Sequence, residues 1–448
     1  GKSYGEMAAE SRSMHKSQGF GSAKTRGSQL EYFKILKGDS VSKDLFEGIN
    51  QSWDRIKGGK NIQVLIENAI SKFNPHKPDE SLKNLIGIYQ QILKLDSKDP
   101  YTAYWKTQKL KEVKAILLSC AGFWSESYPE SYFSVPGNST KITTQVITRN
   151  QSKIKLDRIK WSTVSDTFPA LELKQNELYT FKHFETIPSS QTFSGPYWLN
   201  NPHEIGIFNI KNQELIGKPE NPPAASVILF LTVDSLKLEV ECPLTYKYTD
   251  PVKGEIYRPF EILPPATINI SEKTYVFDNG NSHKVQIVVK AKSSNLEGIL
   301  HLQTSDDWTL SKKEIPVKLS NKEEEVTYEV IVKPGKSLKG KLTASLEINS
   351  QKYSLSIRRI EYDHIPYQFI LSPAEANLIN IGIKKSGTNI GYIPGAGDEV
   401  PDCLRQIGYN VTILNDELLT KEDLNKFNAI ITGVRAYNTN EKLQSHHS

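Results

Sequence analysis

The residues best suited to chemistry lie in a few short stretches. Ser194-Gly195-Pro196-Tyr197-Trp198-Leu199 places two large aromatics in a loop bounded by glycine and proline. Exposed, Tyr197 and Trp198 would stack their faces on sugar rings; packed, they would close one end of a β layer. Pro394-Gly395-Ala396-Gly397-Asp398 sets two glycines ahead of a helix, where backbone N–H groups can hold an anion. The third glycine of a dinucleotide fingerprint is missing, and Asp398 puts a negative charge where a phosphate would sit. Cys120, Cys242 and Cys403 stand far apart, without zinc-ligand spacing, and an odd count argues against a disulfide framework. They read as buried apolar thiols. No catalytic residue and no metal ligand are assigned within the chain.

The elements that must carry these residues change in period along the chain. Residues 5–16 read as a helix with Met7 and Met14 on one face, ended by Gly19 and Gly21. Residues 28–130 carry helical stripes: Leu45, Phe46, Ile49 and Trp53, then Ile62, Leu65, Ile66 and Ile70, then Leu82, Leu85, Ile86 and Tyr89. Asp99-Pro100 opens a fourth helix, with Asp99 as its cap. These stripes predict a small antiparallel bundle. From residue 135 the period is two: residues 141–148 alternate, and 154–161, 178–184, 205–210, 227–233 and 236–241 are further strands. Residues 248–265, rich in proline, read as an extended linker. Strands at 285–290, 298–304, 326–332, 342–348 and 353–360 predict a second sandwich, with Lys322-Glu323-Glu324-Glu325 as a solvated turn. Residues 389–393, 399–407, 411–414 and 429–432 then read as strand, helix, strand, strand, the opening of a parallel doubly wound sheet.

The run Ser13 to Ser22, SMHKSQGFGS, follows a helix with alanines. It is similar to the closing helix of the PIG-L (LmbE-like) deacetylase family, where a His-x-Ser-Gln ends the fold. Gly195-Pro196-Tyr197-Trp198-Leu199, Tyr246-Lys247-Tyr248-Thr249-Asp250-Pro251 and Val434-Arg435-Ala436-Tyr437-Asn438 resemble phrases, in the same order, of a multidomain Bacteroidetes-type branch of that family. The resemblance covers nearly the whole chain. It implies a zinc-dependent amide hydrolase acting on N-acetylated sugars or related compounds, with this chain as its non-catalytic C-terminal region and the catalytic domain upstream. His15, Ser17 and Gln18 would then border the substrate side of that site, although a histidine at a helix end also serves as a structural residue. Pro75-His76-Lys77-Pro78-Asp79-Glu80 is similar to the family's metal loop, Ala-His-Pro-Asp-Asp-Glu. Asp79 stands three after His76, as the ligand would, but Pro78 takes the place of the base. Helix rather than strand precedes it, and no histidine cluster offers the third ligand a hydrolytic zinc needs. The stretch reads as a turn between helices, with Asp79 capping the next one. The last segment resembles the start of a class I glutamine-amidotransferase-like domain, but Cys403 lies inside a helix rather than on a nucleophile turn.

The expected organisation is therefore multidomain. Residues 1–27 close a deacetylase domain, 28–130 form a helical connector, and 131–257 and 258–362 form two β-sandwiches, the second Ig-like. Residues 363–448 form an incomplete α/β domain. A length of 448 residues suits roughly three domains, and 24% charged and 38% hydrophobic residues fit a globular class. The net charge of +5 comes without a dense basic block, so nucleic acid is not an expected partner. No stretch approaches the roughly 20 apolar residues of a membrane span. The expected partner is a carbohydrate or an N-acetylated small molecule, the only cofactor is the upstream domain's zinc, and the compartment is extracytoplasmic. The competing expectation is a carbohydrate-binding or adhesion protein without catalysis. A third, amidotransferase-type hydrolysis by the last segment, lacks its strand and cysteine.

Overall fold

A computed structural model of the chain describes residues 1–161, 165–278, 280–305, 307–421, 424–440 and 442–443. They are mostly β-strands in several sheets, with few helices. Two compact units are present: Gly1–Ser71 with Gly87–Lys111, and Lys72–Ile86 with Glu112–Ser448.

Helix α1, Tyr4–Ser13, starts at a reciprocal cap. The Ser3 hydroxyl accepts from the Glu6 N–H and the Glu6 carboxylate accepts from the Ser3 N–H. The helix stops three residues short of the expected Lys16, and a 3-10 turn, Lys16–Gln18, closes on Gly19 in the left-handed region. Helices α2 (Lys60–Ser71), α3 (Leu82–Leu93) and α4 (Pro100–Cys120) form where the stripes place them. Asp99 caps α4, accepting from the Thr102 N–H at 2.9 Å. The stripe at Leu45–Trp53 does not become a helix. Leu45, Phe46 and Ile49 are exposed, and Gly48 sits at a φ of 84°, which a helix does not allow. Nor is the whole of 28–130 helical, because Phe123–Pro129 is a strand.

The first β-rich part has two antiparallel sheets. One orders Phe123–Pro129, Ser139–Thr148 and Tyr179–Thr186; the other orders Ser165–Glu172, Ile154–Lys160, Ser226–Val233 and Leu236–Pro243. Ile142, Thr144, Val146 and Thr148 are all buried, the face that the alternation predicts. In the second sheet the register slips between Leu156 and Arg158. That bulge shifts the inward parity from Ile154 and Leu156 to Ile159, while the Thr232 hydroxyl donates to Asp157 at 2.7 Å. Trp161, 2% exposed, stacks on His183 of the other sheet at 4.5 Å. The strand expected at 205–210 is absent: Ile205, Ile207 and Phe208 are exposed, and the stretch carries an isolated bridge from Glu204 to Ile207.

The expected linker at 248–265 is largely sheet. Thr245–Asp250 and Gly254–Pro259 pair as a hairpin, turned by the Asp250 carboxylate accepting from the Val252 and Lys253 N–H groups, both at 2.8 Å. Beyond it, two sheets enclose one core that includes Ile268, Phe277, Ile287, Leu300, Trp308 and Leu346. Its last strand, Glu375–Ile381, pairs with both Thr274–Asp278 and Lys339–Ile348. This part therefore runs past the expected boundary at 362. The acidic turn at 322–325 is not merely solvated. Glu323 pairs with Lys292, whose side chain is 2% exposed, at 2.6 Å, and Lys322 lies 3.9 Å over the Phe133 ring.

The C-terminal strands are parallel, with Asn389–Ile393 between Asn410–Ile413 and Ala429–Thr432. Short helices α5 (Val400–Gln406), α6 (Asp416–Lys421) and α7 (Ala436–Thr439) accompany them. The Val276 N–H donates to the Gln406 side chain at 3.2 Å, joining α5 to the preceding β layer. Among the described residues, no helix is long and apolar enough to cross a membrane.

Candidate functional site

The aromatic loop forms one wall of a cleft of about 490 Å³, within the size range of small-ligand sites. It is tied down at both ends. The Ser194 N–H donates to the Ile262 carbonyl at 2.7 Å, and the Ile262 N–H donates back to the Ser194 hydroxyl at 2.8 Å. Asn221 spans the loop, accepting from the Tyr197 N–H and donating to the Gly195 carbonyl. The two aromatics divide in role. Tyr197 is buried, and its hydroxyl donates to the Lys218 carbonyl at 2.9 Å; it is a packing residue. Trp198 stands edge-on to it at 4.9 Å, remains partly exposed and lines the cleft.

Residues 257–261, which begin in the hairpin strand Gly254–Pro259, and residues 366–369 also line the cleft. Tyr257 is half exposed there, and the hydrogen bond to Glu255, with burial second, pushes its hydroxyl up to about 12. Arg258 is nine-tenths buried. Its guanidinium lies 3.9 Å over the ring of Tyr132, 4.6 Å over Tyr367 and 5.6 Å over Phe369. Among the described residues, its Nε and Nη2 have no hydrogen-bond partner. Burial pulls this guanidinium below its ordinary pKa. Glu261 lines the same cleft, and burial pushes its carboxyl up, against the opposing pull of the Ser194 hydrogen bond and the Arg258 charge. The cleft thus brings together an aromatic face, a buried cation with two donors unpaired among the described residues, and a carboxyl whose pKa burial raises.

The other candidate residues lie elsewhere in the fold. His15, Ser17 and Gln18 are exposed in the turn after α1, where the Gln18 N–H donates to the His15 carbonyl. His76 is exposed and Asp79 sits within the 3-10 turn Pro78–Ser81, whose cap position is Lys77. Asp79 is therefore in the inter-helix turn but does not cap α3. Among the described residues, no three His, Cys, Asp or Glu side chains come together to hold a metal ion. The turn at Gly395–Gly397 supplies its own anion. The Asp398 carboxylate accepts from the Val400 and Val434 N–H groups, both at 3.1 Å, and from the Tyr392 hydroxyl. These bonds, the Tyr392 one foremost, hold its pKa below the usual value and use donors a phosphate would need. Cys403 is exposed in α5, whereas Cys120 and Cys242 are buried.

No family model matches the chain, and no curated protein matches it. Solved structures similar over part of it include α-2-macroglobulin of Salmonella reacted with methylamine, at 8% identity over 58% of this chain and 16% of that one, with a TM-score of 0.20. The native conformation of E. coli α-2-macroglobulin gives 10% identity over 58% of this chain and 17% of that one, with a TM-score of 0.20. The alkylpurine DNA glycosylase of Pseudomonas fluorescens, bound to DNA containing an abasic site analog, gives 11% identity, 41% and 50%, and 0.15. The chain spans well under two thirds of each of these proteins, and likenesses at such scores carry no argument about this one.

Arg258 and Glu261 are the site residues that sequence reasoning misses. The cleft gathers residues 194–198, 220–224, 243–245, 257–261 and 366–369, stretches far apart in the chain. A local signal exists only in Tyr257-Arg258-Pro259-Phe260, a lone arginine set among aromatics and prolines.

Proposed function

We propose that this chain is a saccharide-binding accessory region, the non-catalytic part of an extracytoplasmic, zinc-dependent N-deacetylase of the PIG-L-like kind. The observation that carries the binding half of this reading is Trp198, partly exposed in the lining of a cleft that Tyr257 and Tyr367 also line. Indole and phenol faces stack on the C–H faces of sugar rings. The attachment to amide hydrolysis rests on the ordered phrases from Ser13 to Asn438. The zinc and its carboxylate base belong to the domain that this resemblance implies, and no residue here is assigned a step. On the same reading the second β-rich part is Ig-like and the last segment amidotransferase-like. The competing reading, an adhesion protein without catalysis, shares the cleft.

Isothermal titration with a panel of neutral, N-acetylated and acidic oligosaccharides tests the reading. Trp198→Ala should weaken binding by about tenfold or more, as loss of a stacking face does, with the fold retained by circular dichroism. Tyr197→Phe should keep binding and cost about 1 kcal/mol of stability, the net worth of one hydroxyl bond. If no saccharide binds, or Trp198→Ala binds as the parent does, the reading fails.

A further inference from the structure

The cleft holds a charged group in an unfinished state. Arg258 sits nine-tenths buried with two donors unpaired. Burying an unpaired guanidinium is costly, and ring faces offset only part of that cost. The two unpaired atoms, Nε and Nη2, are adjacent on one edge of the guanidinium. Their N–H bonds point the same way, the side-on fork that matches both oxygens of a carboxylate. We propose that this cleft takes a saccharide bearing a carboxylate, a uronic-acid type of sugar, with the carboxylate forked on Arg258 and the ring against Trp198. The proposal rests on the saccharide-binding reading and narrows it to acidic sugars.

The surroundings suit such a guest. Both donors are closed to solvent, so the carboxylate enters when a covering ring moves. Tyr132 and Tyr367, both only partly buried, lie over the guanidinium, and the Tyr367 hydroxyl donates to Glu361 at 2.7 Å. Glu261 would repel an incoming anion if ionised. Burial pushes its carboxyl up, while the Ser194 hydrogen bond and the Arg258 charge pull it back. A neutral sugar would leave the fork unpaired, so the site distinguishes acid from ester or amide.

The decisive experiment compares a galacturonate oligomer with its methyl ester and with a neutral oligomer of equal length, by calorimetric titration on the whole chain. The acid should bind about tenfold or more tightly than either, the value of one charge-assisted fork. Arg258→Lys, which keeps the charge and loses the fork, should erase that preference. If a variant at 258 fails to fold, the acid-to-ester ratio on the parent protein still decides. Equal binding of acid, ester and neutral oligomer overturns the carboxylate proposal and leaves saccharide binding standing. Binding of none overturns both. Inorganic sulfate displacing the acid oligomer at equal concentration would mark an anion site without sugar recognition, and also overturns the proposal.

Discussion

Glu261 shows how a single residue ties the cleft to stability. In the unfolded chain it ionises near the ordinary glutamate value of 4.5; in the fold, burial raises that value. The folded state therefore binds more protons across the interval between the two. The stability this contributes is full below the ordinary value and is lost as pH rises through the raised one. Glu261→Gln removes the titration. The melting temperature of the variant minus that of the parent should grow from about pH 4 to about pH 7. A difference that stays flat over that range would mean the carboxyl ionises freely in the fold. At this scale the sequence was half legible. Tyr197-Trp198 stood out by composition, but which ring faces the cleft depends on Asn221 and the Lys218 carbonyl, more than 20 positions away. Arg258 was hidden because its rings come from residues 132, 367 and 369.

At the scale of elements, period carried the strands. Residues 141–148 alternate strictly and form Ser139–Thr148, and Asp99-Pro100 starts α4 as its chemistry requires. The misreadings have local causes. Gly48 breaks a stripe that has helical spacing but no helix-compatible backbone. Pro251 and Pro259 suggested a linker, yet Pro251 lies in the turn and Pro259 ends an edge strand, both positions that tolerate a missing N–H. The C-terminal sheet differs from the β layer before it in how much it buries. Its core comprises Ile393, Leu414, Ala436 and Leu443 among the described residues, and the strands Asn410–Ile413 and Ala429–Thr432 are largely exposed. Local opening should therefore be easier there. Amide hydrogens of residues 410–413 and 429–432 should exchange about tenfold or more faster than those of His283–Ala291, a strand paired on both sides, as read by mass spectrometry. Equal protection would refute this.

At the scale of the molecule, the two β-rich parts are joined by a charged seam, not by a flexible linker. The Tyr132 hydroxyl donates to Glu323 at 3.3 Å, Lys292 pairs with the same carboxylate, and Lys322 donates to Ser131 at 2.9 Å. Burial pulls the Lys292 ammonium down, and Glu323 pulls it back up. Glu323→Ala would strand that ammonium. Lys292 is buried but Glu323 is partly exposed, so denaturant unfolding should show a loss of about 1–3 kcal/mol, the worth of a charge-assisted hydrogen bond at a buried donor. A change below about 0.5 kcal/mol would place the pair among ordinary surface contacts. The charge run at 322–325 gave no hint of this in sequence, because its partners at 131–133 and 292 are distant in the chain and become neighbours only once both sheets have formed.

The unequal burial of the three cysteines makes the chain its own labelling template. Cys120 and Cys242 are enclosed, and burial raises both thiols, while Cys403 faces solvent on α5. A maleimide dye should couple once to the native protein and three times after denaturation, countable by intact mass. Because α5 is pinned to Val276 through Gln406, that one dye would sit beside the seam between the parallel sheet and the β layer before it. Its emission would report the moment these layers part, with no engineered residue anywhere in the chain.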